Sequence, residues 1–166
     1  MIVSGAETLL TQNRHALAMS GLPESDIEAY CRVLSDCFEA VVQGLPLPSG
    51  NLLPEGLAQN YKLASQGFQT PYMRYFLALD VSKELRKVKC PVMALNGTKD
   101  IQVDCRNNLD ALRKGLGGTN AIKAEEGLNH LFQHCTTGEV SEYKQIEETF
   151  SPAVTDEMIV WIKALP

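Results

Sequence analysis

Apolar positions recur along this chain first at helical spacing and then as short unbroken runs. Leu9, Leu10, Leu17 and Met19 give one side to a helix that ends before Gly21, and Ser4-Gly5-Ala6-Glu7 reads as its capping box. From Pro23 onward, Ile27, Cys31, Leu34, Phe38, Val41 and Val42 follow at the spacing of a strongly amphipathic helix. A connector rich in proline and glycine runs from Gly44 to Pro54 and reads as flexible. Leu57, Tyr61, Leu63 and Ala64 predict a short helix after it. Thr70-Pro71 opens another through Tyr72, Tyr75, Phe76 and Leu79, the most aromatic part of the chain. Val81 to Lys89 alternates apolar and basic residues and reads as a lead-in lying along the surface.

The rhythm changes at Cys90. Cys90 to Asn96 is a short apolar run opened by Pro91 and closed by Gly97, as in a buried strand. The turn Gly97-Thr98-Lys99-Asp100 leaves an acid just past the strand's carboxyl end. Leu109, Leu112 and Leu116 return to helical spacing until Gly117-Gly118, and Ala121 to Ala124 predicts a second strand. A loop with Gly127-Leu128-Asn129-His130 follows it. Strand, acid-bearing loop, helix, strand and histidine-bearing loop make one βαβ unit. Its right-handed crossover puts Asp100 and His130 at the same edge of a parallel sheet. Beyond it, Tyr143, Ile146 and Phe150 share one side of a segment that ends at Pro152. Thr155-Asp156-Glu157 then opens a final helix whose Met158, Ile159, Trp161, Ile162 and Leu165 are expected to pack on the sheet.

A carboxylate bonded to one imidazole nitrogen fixes the tautomer and stabilises the imidazolium that forms when the ring accepts a proton. Asp100 and His130 are therefore candidates for the orienting acid and the base of a nucleophilic catalyst. Their order, acid before histidine, matches the last two members of the α/β-hydrolase series. The segments Cys90-Pro91-Val92-Met93-Ala94-Leu95-Asn96-Gly97 with Asp100, and Gly127-Leu128-Asn129-His130-Leu131-Phe132-Gln133, resemble the C-terminal third of bacterial α/β-hydrolase-fold esterases. The closest likeness is to the dienelactone-hydrolase and acyl-peptidase-like serine hydrolases.

That resemblance implies an α/β fold present only in part: a helical, cap-like segment over residues 1–80 and the C-terminal part of the hydrolase core over 81–166. It implies ester cleavage through a Ser-His-Asp triad, with amide and thioester bonds also open, and with Asp100 and His130 as acid and base. The substrate would be a small ester or acyl compound, and no cofactor is implied. One element of the pattern is missing. No G-x-S-x-G elbow occurs in the 166 residues, and neither Ser4, Ser49 nor Ser65 sits between two glycines at the required spacing. The nucleophile and the early strands are therefore expected upstream of Met1, and this chain alone is expected to be inactive and to self-associate. The competing expectation is a non-catalytic module that binds a partner or self-associates through open sheet edges.

Composition narrows the alternatives. The formal net charge is −5 with both signs spread along the chain, so no basic stripe points to nucleic acid. No apolar run approaches the roughly 18 residues of a membrane span. The five cysteines form no C-x-x-C pair and read as small apolar residues of a reducing compartment. His130 and His134 stand four apart, but the glycine and asparagine before them favour a loop, and no acidic partner has zinc-site spacing, so no metal is expected. His15 reads as a solvated helix residue, and the compartment stays open.

Overall fold

The chain was analysed as a computed structural model that describes residues 5–166. The capping box expected at Ser4 therefore lies outside the described residues. Most of the described residues are helical and among them there is one sheet of two parallel strands; the chain divides into two units between Leu79 and Asp80.

The first unit holds helices α1 (Gly5–Met19), α2 (Glu24–Gln43), α3 (Glu55–Phe68) and α4 (Pro71–Ala78). Its core is Tyr30, Leu34, Cys37, Phe38, Val41, Leu53, Leu57, Tyr61 and Leu77. The buried stripe of α2 runs through Ile27, Tyr30, Leu34, Phe38 and Val41, which turns Cys31 and Val42 off its axis. Cys31 is only half-buried and Val42 is exposed, whereas Tyr30 and Cys37 point inward. Gly44 ends α2 in the left-handed conformation, its N–H returning to the Ala40 and Val41 carbonyls.

The proline-rich connector is pinned by Tyr61. Tyr61 donates its hydroxyl to the Pro48 carbonyl at 2.8 Å, and the Tyr61 ring lies against Gly50, whose φ of +70° suits glycine. Burial pushes the Tyr61 phenol well above its ordinary range. In α4 only Leu77 is buried, with Met73 and Phe76 packed beside the core, while Tyr72 and Tyr75 face outward. His15 is not fully solvated as expected: its Nε2 is buried and has no partner among the described residues.

The second unit is built on the predicted βαβ element. Strand β1 (Met93–Gly97) pairs with β2 (Ala121–Glu125) in register Met93↔Ala121 to Gly97↔Glu125, and α6 (Cys105–Gly115) makes the crossover. Leu109 and Leu112 of α6 are buried with Leu85, and Val81, Ala94, Leu116 and Ile122 pack around them. Leu85 belongs to a short helix, α5 (Val81–Leu85), within the segment that the sequence suggested only as a lead-in along the surface, and Leu85 itself is buried. Asp80 caps it, accepting from the Ser82 N–H at 3.1 Å.

Two further boundaries differ from expectation. The segment before Pro152 forms only a 3-10 turn over Val140–Gln145. The last helix, α7 (Pro152–Lys163), begins at the proline that looked like a stop, because proline is as well suited to the first helical position. Nor does α7 bury the apolar set expected of it. Val154 is buried, but Met158, Ile159, Ile162 and, at 68%, Val160 are exposed.

Candidate active site

Two loops leave the carboxyl ends of the paired strands and are tied to one another by backbone. Thr98 N–H donates to the Glu125 carbonyl at 2.9 Å and Lys99 N–H to the Leu128 carbonyl at 3.0 Å. Gly97 is required at this crossing: a Cβ there would collide with the Leu128 carbonyl. Lys99 Nζ reaches across to the carbonyls of Cys135 (3.0 Å) and Thr136 (2.9 Å), and Gly127 N–H donates to the Thr98 hydroxyl at 2.9 Å.

These ties bring Asp100 and His130 together. His130 Nδ1 lies 2.9 Å from Asp100 Oδ2. The carboxylate side chain is 5% exposed and the imidazole 39%. Every lone pair of Asp100 that the loop can reach is occupied. Oδ1 accepts from the Gln102 and Val103 N–H groups, each at 2.9 Å, and Oδ2 accepts from the Asn96 side-chain amide at 3.0 Å as well as facing the ring. The backbone donors and the Asn96 amide together fix the orientation of the carboxylate. With Nδ1 taken, Nε2 is the nitrogen left to exchange protons.

The loop that carries His130 is held by Asn129, which is fully buried. Asn129 Oδ1 accepts from Leu131 N–H at 2.9 Å and Gln133 N–H at 3.0 Å, and Nδ2 donates to Gln133 Oε1 at 3.0 Å. Gln133 in turn donates to the Glu148 carbonyl at 2.8 Å. Phe132 adopts φ of +56°, a conformation costly for a bulky side chain, and its carbonyl accepts from Ser151 N–H at 2.8 Å. His134 lies apart from this pair, exposed, and meets Glu148 Oε2 through Nδ1 at 2.9 Å. Bonds from His134, its backbone N–H first, hold the Glu148 carboxyl below its ordinary value. No group of three metal-ligating side chains occurs among the described residues.

His130, Asp100 and Asn96 open on a cleft of about 240 Å³ walled by Leu95, Val103, Leu109 and Phe132. Its lining includes no serine, threonine or cysteine. On the other face of β1 an apolar cleft of about 420 Å³ lies between Met93, Leu95, Phe132 and α7. Cys105, near the first cleft, has its thiol pushed up by burial, which disfavours the thiolate. The sequence pointed to Asp100 and His130 but not to Asn96, read only as the end of a strand. The available signal was an amide four residues before the acid, across a tight turn. Compared with protein-family models, with curated proteins and with solved structures, the chain matches none.

Proposed function

We propose that Asp100 and His130 are the acid and base of a Ser-His-Asp triad in an α/β-hydrolase that cleaves esters, its serine supplied from outside residues 1–166. The observation that carries this reading is the 2.9 Å contact between His130 Nδ1 and an Asp100 carboxylate fixed by three further donors. In the reaction, the serine hydroxyl attacks the ester carbonyl while His130 Nε2 takes its proton. The tetrahedral adduct collapses to an acyl-serine as the imidazolium returns that proton to the departing alkoxide. Water repeats the sequence to release the acid. Asp100 keeps Nε2 unprotonated at the start and stabilises the imidazolium between steps.

The test is fluorophosphonate labelling of the native protein in an extract of its source cells, with the intact mass of the labelled species. A labelled protein larger than this chain and containing its sequence supports the reading. A native chain that starts at Met1 and takes no label overturns it. In the labelled enzyme, His130→Ala and Asp100→Ala should each lower turnover by at least about 10³-fold. Activity that survives both substitutions would remove the two residues from the mechanism.

A second reading, a self-associating module without catalysis, is favoured by the exposed apolar residues of α7 and the two-stranded sheet of the described residues. Sedimentation of the 166-residue chain distinguishes it. A discrete, stable oligomer of a chain that takes no label supports this reading, and a monomer removes it.

A further inference from the structure

Asn96 occupies the last inward position of β1 and is 7% exposed, so its amide needs partners inside the protein. Nδ2 donates to Asp100 Oδ2 at 3.0 Å and also lies 3.4 Å from the Val103 carbonyl and 3.5 Å from that of Gly97. Its backbone carbonyl is 3.5 Å from the Cys105 thiol. The Asn96 amide is thus bound on one side to the strand's end and on the other to the same carboxylate oxygen that meets His130.

We propose that Asn96 is a positioning residue: its amide fixes Asp100 Oδ2 against His130 Nδ1, and so selects the imidazole tautomer that leaves Nε2 free as the base. This rests on the triad reading above, but it concerns a property of the ring that exists without substrate or serine. The two backbone donors on Oδ1 anchor one oxygen of the carboxylate and leave it a hinge. The Asn96 amide stops rotation about that hinge. It does so without bringing a charge that would compete with the imidazolium. A lysine or arginine in its place would compete with His130 for the same oxygen. An isolated imidazole carries its proton on Nε2 in preference to Nδ1. A ring held as Nδ1–H therefore reports the alignment of Asp100 directly.

The measurement is the ring ¹⁵N spectrum of His130 in the 166-residue chain at pH 8, assigned by its loss in His130→Gln. In the unaltered chain the neutral ring should be almost entirely Nδ1–H. Asn96→Ala should raise the Nε2–H share severalfold while the amide spectrum shows an intact fold. Asn96→Leu retains the volume and removes the donor, so it should do the same even if the cavity left by alanine unfolds the chain. A ring that stays Nδ1–H in a folded Asn96→Ala or Asn96→Leu chain overturns the proposal. The outcome is separable from the hydrolase reading. Lost tautomer selection would stand even if His130→Ala left hydrolysis by the labelled enzyme untouched. Retained selection would refute Asn96's role even where His130 proved essential.

Discussion

At the scale of single residues, the site depends on polar side chains that bind backbone. Asn129 is the clearest case, because one buried amide satisfies two N–H groups and a glutamine carbonyl in the His130 loop. Asn129→Ala would leave those groups buried without partners. It should destabilise the chain by about 2–4 kcal/mol in urea denaturation, and a loss below about 1 kcal/mol would mean that water or a rearranged Gln133 replaces the amide. Glu142 works in a similar way on the exposed turn after that loop. It accepts from Thr136, Thr137 and Gly138 N–H groups and from the Thr137 hydroxyl, which lower its carboxyl from the ordinary 4.5 to about 2. A carboxyl with a depressed folded-state value contributes stability that is complete above its unfolded value and disappears as pH falls through the folded one. Glu142→Gln should therefore flatten the stability–pH curve between about pH 4.5 and 2 and leave its slope above pH 6 unchanged, as acid titration followed by circular dichroism would read.

At the scale of elements, β1 is paired on one side only among the described residues. Ala121 N–H donates to the Val92 carbonyl and Thr98 N–H to the Glu125 carbonyl, each at 2.9 Å, which fixes the phase of the ladder. Ala94 and Asn96 then turn their backbone toward β2, and Met93 and Leu95 turn theirs to the open edge. Hydrogen exchange followed by NMR should show slow amides at Ala94 and Asn96 alternating with fast ones at Met93 and Leu95. Uniform protection along the strand would mean that another chain covers the edge. The elements themselves were largely legible, because period and punctuation specify them: the Leu109 and Leu112 helix, both strands and the crossover follow from pattern. Their ends were less so. Cys90 to Val92 continue the apolar run, yet the strand begins only at Met93, where its partner Ala121 begins. Pro152 could close one helix or open another, and periodicity does not choose between them.

At the scale of the whole chain, the approach of Asp100 to His130 was legible because a general rule of chain topology, the handed βαβ crossover, puts both loops at one sheet edge. Asn96, Lys99 and Gln133 were not legible, since bonds from side chains to loop backbone have no period and depend on the crossing at Gly97. The surroundings of α7 were misjudged for a different reason. An amphipathic count says which residues seek cover, and only the available surface says which of them find it. The crossing of the two loops also has a consequence for the order of assembly. Asp100 and His130 are thirty residues apart in sequence, and no local segment holds both. Loop-closure entropy must be overcome by β1, α6 and β2 docking before either side chain can find the other. The pair is then a late product of folding, and a chain arrested short of parallel pairing would retain its helices and have no site at all.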